Sequence, residues 1–288
     1  MADFETRGFS LGQQVFSIGY ATMKFSLSGR CVLPQKAGQG LLKQNAAFLE
    51  LAHDVGFDGV DLRWEQMNPS LPDASVEEVR QRCRETGLEV ASLNAKGLDK
   101  ETFQPLLALA KELDCRRIRV HGDIPSIQQA ADWALPSGIQ LAEQMHTGGA
   151  YESATLAQKT LAEVGRNNFG VIAEPANLRM AGDDFTAENL GLIRNKIFWC
   201  HIQSLIVVPL DAAEGRSMLR NGSEVGFTRV PIRENTGCDF HAFFGALKAV
   251  GFNGYVNCLE PTPAADDWGM FFMDTLAFLR DVASSGSD

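Results

Sequence analysis

The chain has no Cys-x-x-Cys pair, no Gly-x-Gly-x-x-Gly stretch and only five histidines. The first absence excludes a zinc knuckle and a thioredoxin-like redox motif, and the second excludes the dinucleotide fingerprint of an open doubly wound sheet. Six widely spaced cysteines, Cys31, Cys83, Cys115, Cys200, Cys238 and Cys258, are not a compact disulfide framework, and reduced thiols are the simplest reading. No run approaches the ~18 apolar residues of a membrane span. The first residues, Met-Ala-Asp-Phe-Glu-Thr-Arg, lack a basic segment followed by an apolar core. Basic residues are also in deficit: 26 Lys and Arg stand against 36 Asp and Glu, a net charge of −10 that repels phosphate backbones and anionic lipid. These deficits predict a cytoplasmic protein with neither nucleic acid nor membrane as partner.

What is present is an ordinary globular composition, 45% hydrophobic and 22% charged over 288 residues, enough to bury a sizeable core. From Met23 onward, short apolar or β-branched runs alternate with longer segments of helical period, the pattern of βαβ units and a parallel sheet. Eight runs read as strands: residues 24–27, 59–63, 89–93, 117–121, 140–143, 170–174, 197–201 and 254–260. Between them, Phe103, Leu106, Leu107, Ala110 and Leu113 form one helical stripe, and Phe240, Phe243, Phe244, Leu247 and Val250 another, with Asp239 as its N-cap. Val55-Gly-Phe-Asp-Gly59 before the second strand recurs as Val250-Gly-Phe-Asn-Gly254 before the eighth, a helix stop followed by a strand start. Eight such units fit a single (β/α)8 TIM barrel of about 250 residues with insertions. Residues 23–288 are assigned to that α/β barrel, with a long loop over 203–235 after the seventh strand. Residues 1–22 are read as an N-terminal extension or an over-called start.

In a parallel barrel all strands point the same way, so residues at their C-terminal ends converge on one face. The last four runs end in Glu143, Glu174, His201 and Glu260, each an apolar stretch closing on an ionisable group. One such carboxylate commonly just opens a solvated loop. Four in succession point to a site, and three carboxylates with one imidazole suit Mn2+ or Mg2+ and can accept Zn2+ or Co2+. Asp61, Arg63, Glu65, Asn94 and Lys96 after the second and third strands stand behind them as substrate contacts or rim polarity. His121 directly follows Arg117-Ile-Arg-Val120 and faces the mouth or is a hydrogen-bonded structural residue. His146, three residues beyond Glu143, orients that carboxylate or binds a sugar hydroxyl, and Gly148 and Gly149 offer backbone N–H groups to an anion or form a plain loop. His53 and His241 fall on helices and read as structural.

These stretches resemble the xylose isomerase-like TIM barrels, the sugar phosphate isomerases and epimerases, over most of the chain from about Phe48 to Phe278. The resemblance is carried by Phe48 through Arg63, by Glu174-Pro-Ala-Asn177-Leu178 and by Phe240 through Glu260. It implies one divalent metal held by Glu143, Glu174, His201 and Glu260. It also implies that Glu143 and Glu260 exchange a proton on opposite sides of the substrate carbon; His121, His146, Asn177, Arg63 and Glu65 are the expected substrate contacts. The implied reaction is a metal-dependent sugar isomerisation or epimerisation through an enediolate. Departures are visible. The sixth-strand ligand is Glu where the family has Asp, and the strand-seven His-x-Lys-Asp is His201-Ile-Gln203-Ser204 here. The segment after it carries Arg216, Arg220, Arg229 and Arg233, a lid, a partner surface or a solvated loop. A metal-dependent lyase or dehydratase of keto-inositols or keto-glycosides stays open, as does a non-catalytic sugar-binding barrel or partner subunit. A nuclease of the endonuclease IV kind needs more histidines than this chain has. The expected partner is a small sugar or keto-sugar, and a homo-oligomer is left open.

Overall fold

The alternating runs become strands of one closed parallel barrel in a computed structural model that describes residues 23–32, 45–213, 216–220, 222–261 and 268–285. The expected N-terminal extension, residues 1–22, lies outside the described residues. The first seven barrel strands are β1 (Lys24–Ser28), β2 (Gly59–Leu62), β3 (Glu89–Asn94), β4 (Arg117–Arg119), β5 (Gln140–Gln144), β6 (Phe169–Ala173) and β7 (Ile197–Ile202). An antiparallel insertion follows, β8 (Ser204–Val208), β9 (Ser217–Arg220) and β10 (Ser223–Val230), before β11 (Tyr255–Cys258) closes the barrel between β7 and β1. The helices are α1 (Asn45–Val55), α2 (Asp73–Thr86), α3 (Lys100–Glu112), α4 (Ile124–Ala134), α5 (Ala154–Val164), α6 (Pro175–Ala181), α7 (Ala187–Gly191), α8 (Phe240–Ala249) and α9 (Trp268–Ser284).

Local chemistry sets the element ends. Asp99, Asp123, Ser153 and Asp239 cap α3, α4, α5 and α8 by accepting a backbone N–H from the third residue onward, satisfying donors the first turn would leave open. The recurring Val-Gly-Phe element does the same work twice. Gly56 after α1 and Gly251 after α8 adopt φ of 94° and 78°, the left-handed turn that ends a helix without a Cβ penalty.

Both expected stripes face inward: Phe103, Leu106, Leu107, Ala110, Phe240, Phe243, Phe244 and Leu247 lie in the main core between helices and barrel. Residues 203–235 were expected as a loop, but most of them fold as the β8–β10–β9 sheet. Its strands are short and half exposed, with charged residues interrupting the apolar alternation, so their pattern is weak in the sequence. Among the described residues, no helix is long and apolar enough to cross a membrane.

The barrel interior has two layers. Ala91, Ala142, Ile172, Trp199 and Tyr255, one from each of five strands, pack as an apolar layer separate from the outer core. Closer to the strand C-termini lies a polar chain. Ser26 bonds Asn257, Asn257 donates to Ser92 (3.1 Å), and Ser92 and Ser28 donate to Asp61 (2.7 and 2.6 Å). Asn94 adds a bond to Asp61 (3.1 Å) and accepts one from Arg63 (3.1 Å), so connected hydrogen bonds lead from the barrel interior to its mouth. Such a layer is tolerated inside a core because its members satisfy one another.

Candidate active site at the barrel mouth

Side chains alternate along a strand, so the two interior layers fix which strand-end residues enter the mouth. On β5, Leu141 and Met145 belong to the outer core and Ala142 to the inner layer, which places Gln144 inside and Glu143 outside. On β6 and β7 the same count puts Glu174, His201 and Gln203 inside. On β11, Tyr255 and Asn257 face in and Val256 and Cys258 face out, so Leu259 follows the inner face and Glu260 the outer. Arg63 and Arg119 take inner positions because Leu62, Ile118 and Val120 are outer.

The four expected metal ligands are therefore not brought together. Glu260 turns toward the helical layer, where it accepts from the Ile232 backbone N–H (3.1 Å) and the Thr275 hydroxyl on α9 (2.6 Å). Burial pushes its pKa up to about 7 against those hydrogen bonds. Glu143 accepts from His121 Nδ1 at 2.6 Å, while its other oxygen is buried without a hydrogen-bond partner and burial raises its pKa. The proton-exchanging pair implied by the resemblance, Glu143 and Glu260, thus does not flank a common point inside the barrel. β5 and β11 each end one residue out of phase for that role.

Glu174 and His201 do enter the mouth. Glu174 is fully buried, and one carboxylate oxygen accepts from Gln144 and the other from Gln203. Burial raises its pKa, opposed by those two amides and by the Arg119 charge. Gln203 is itself held by Arg229 of β10, whose Nε donates to Gln203 Oε1 at 2.9 Å. His201 accepts from Trp199 Nε1 (3.3 Å), and its Nδ1 is buried with no partner. Burial pushes this imidazole down to about 3, so it is neutral. Asp61 is ionised: burial alone would raise its pKa, but Arg63 and the Ser28 and Ser92 hydrogen bonds outweigh burial and lower it.

A neutral imidazole and a buried carboxylate are suitable donors to a divalent cation. Here, however, each carboxylate oxygen already accepts from an amide, the other two carboxylates face away, and the Arg119 charge acts on the group. Among the described residues, no three His, Cys, Asp or Glu side chains are grouped to hold a metal. The donor set does not fit the four-ligand centre.

The remaining expected contacts divide. Arg63 reaches the mouth, and its backbone N–H is held by Gln66 Oε1 (3.2 Å). Gln66 packs against Gly29 so closely that a Cβ there would lie 1.6 Å from the same oxygen, and this pins the β1 and β2 ends together. Glu65 is exposed on the turn after β2. Asn177 is buried and donates to the Met145 carbonyl (3.1 Å), a structural bond. His146 is exposed, with Nδ1 3.0 Å from the Thr147 carbonyl oxygen, and the Gly148 N–H is taken by Glu152 (2.7 Å). His121 is at the rim, its side chain 90% exposed. Lys96 lines a side groove with Trp64, Ser70, Asp99 and Thr102. His53 and His241 are on α1 and α8, away from the mouth.

Sequence reasoning missed Gln144, Gln203, Arg30 and Arg119. The signal for Arg119 was present: in Arg117-Ile-Arg-Val120 the apolar residues mark the outer face, so both arginines face inward. Gln144 follows a glutamate that drew attention to itself, and only pairing with β6 shows which of the two points inward.

Residues 49–281 match the family model for the xylose isomerase-like TIM barrel. No curated protein matches the chain in sequence. Among solved structures, the chain is similar to the IolI protein with a bound zinc atom (19% identity, 91% of this chain and 98% of that one, TM-score 0.68). It is similar to a xylose isomerase-like TIM barrel protein from Mycobacterium smegmatis in complex with magnesium (16%, 92% and 98%, 0.66). It is also similar to D-psicose 3-epimerase with D-tagatose from Clostridium cellulolyticum H10 (14%, 91% and 99%, 0.66). At these identities the likeness is one of fold.

Proposed function

Because this chain belongs to the xylose isomerase-like TIM barrel family, we propose that it is an isomerase or epimerase of a small keto-sugar that moves a proton on the carbon beside a carbonyl. The observation that carries this reading is Glu174, a fully buried carboxylate at the C-terminal face with arginines around it. A base works best when its pKa lies close to the operating pH, and burial moves Glu174 in that direction. Gln144 and Gln203 hold its two oxygens in place while leaving each a lone pair.

When the proton leaves, negative charge gathers on the carbonyl oxygen. Partly buried guanidinium groups, Arg119 and Arg63, stand ready to stabilise it. Neutral His201, whose buried Nδ1 has no partner, would hydrogen-bond a sugar hydroxyl or return the proton. The divalent metal of the four-ligand scheme has no step in this reading, because the donor set does not fit it.

The test is solvent deuterium incorporation beside the carbonyl of a panel of keto-sugars, followed by proton NMR. The wild type should exchange, and Glu174→Gln should exchange about a hundredfold more slowly or worse. Equal exchange in both proteins would remove Glu174 from the chemistry. Accumulation of an ultraviolet-absorbing enone instead of exchanged substrate would reassign the chain as a lyase, since the same intermediate then expels a β-leaving group. No exchange with any keto-sugar would favour a sugar-binding barrel.

A further inference from the structure

The protein as a whole is acidic, yet its barrel mouth is basic. Arg30 follows β1 by two residues, Arg63 follows β2, Arg119 ends β4, and Arg229 and Arg216 come from the insertion beside β7. The first four are neither fully buried nor fully exposed. They act on one another: Arg30 feels Arg63 and Arg216, Arg119 feels Arg63 and Arg30, and Arg229 feels Arg30 and Arg216. Among the described residues two buried carboxylates weigh against them, Glu174 and Asp61, and Asp61 is already engaged by Ser28, Ser92 and Asn94.

Guanidinium groups gathered in a partly desolvated cleft repel one another, and a fold retains such an arrangement where an anion completes it. Their origins argue for a built site. Three come from different barrel strand ends, one from a separate sheet and one from the segment leading into that sheet, so no single surface stretch accounts for the cluster. The supports are specific as well: Arg63 is braced by Asn94 (3.1 Å) and Arg229 by Gln203 (2.9 Å). Within the described residues, the Arg119 guanidinium donates no hydrogen bond, although it sits on the inner face of β4. A planar fork with open donors, as at Arg119, suits the two or three oxygens of a carboxylate or phosphate.

We infer that the barrel mouth binds an anionic group, the carboxylate or phosphate of a small sugar, through Arg30, Arg63, Arg119 and Arg229. As a statement about substrate it rests on the mouth being the active site proposed above; as a statement about binding it can be tested alone. The arginines also explain why the mouth opposes a divalent cation: the charge that would have to enter has the same sign as the wall.

The experiment is calorimetric titration of the full chain, dialysed against chelator, with four probes: inorganic phosphate, gluconate, glucose 6-phosphate and neutral glucose. Saturable binding of at least one anion in preference to glucose is expected, weakening as salt rises. Gluconate against glucose 6-phosphate separates the carboxylate from the phosphate source. Arg229→Gln and Arg119→Gln should each weaken the preferred anion about tenfold or more. Glu174→Gln, which removes the competing carboxylate, should tighten it. Because Arg119 is on a barrel strand and its variant can misfold, circular dichroism accompanies each variant, and the gain in Glu174→Gln provides a readout that misfolding cannot imitate. No saturable anion binding, or binding unchanged in all three variants, would overturn the inference. Deuterium exchange on neutral keto-sugars without anion binding would overturn it while leaving the proposed reaction standing. Anion binding without exchange on any charged keto-sugar would uphold the site and remove the reaction.

Discussion

Glu260 shows how a single residue's role follows from its phase along a strand. Its identity and its place at the end of an apolar run suggest a metal ligand, but alternation sends it outward to Ile232 and Thr275. There it is a buried carboxylate with a pKa of about 7 against an ordinary 4.5, because burial disfavours its ionised form. Since the folded state holds this proton more tightly than the unfolded chain does, the contribution is fully present below about pH 4.5 and falls as pH rises toward about 7. Glu260→Gln should therefore flatten the decline in melting temperature between those values and melt several degrees above the wild type at pH 8. Parallel curves for the two proteins would contradict this. A second consequence concerns the thiols. Burial raises Cys31, Cys115 and Cys238 to about 12 and Cys83 to about 11, but of these Cys83 is the one half-buried. Labelling of the native protein with a thiol reagent at pH 8 should modify Cys83 first, with the others reacting only on unfolding; early labelling of Cys31 or Cys115 would show that the core opens locally.

Among the elements, the insertion of β8, β9 and β10 has the largest effect on the mouth. It brings Arg229 over Gln203, and its return limb supplies the Ile232 N–H that fixes Glu260. The sheet packs closely at Gly226 within β10, where a Cβ would lie 2.8 Å from the carbonyl oxygens of Pro209 and Val208 and 2.7 Å from Ala213 Cβ. Backbone cannot yield as a flexible side chain can, so Gly226→Ala should cost about 1–3 kcal/mol, concentrated in this sheet. Limited proteolysis should cut the variant faster within residues 204–230 while the barrel strands stay protected. Uniform cleavage across the chain would show that the insertion and barrel unfold as one unit. The segment was legible only as a basic loop. Long-range pairing with β8 holds Arg229 and Val230, and no local period announces that pairing.

At the scale of the whole molecule, an acidic exterior encloses a cationic mouth. That contrast predicts the response to metals. Chelation should leave the melting temperature unchanged, and Mn2+, Mg2+, Zn2+ or Co2+ should produce no saturable rise, since a ligand specific to the native state must stabilise it by mass action. A saturable rise with any of them would mean that Glu174, His201 and their neighbours rearrange into a cation site, and would restore the four-ligand scheme. The sequence by itself determined the barrel, because strand and helix periods, caps and the repeated Val-Gly-Phe turn are local signals that every unit carries independently. It also determined that Glu174 and His201 stand at strand ends. Tertiary structure alone decided which side of the wall each strand-end residue occupies. A shift of one residue reverses a side chain's direction, and the outer core and the register with neighbouring strands set that phase. Those long-range contacts replaced an expected ring of carboxylates with a ring of arginines around one.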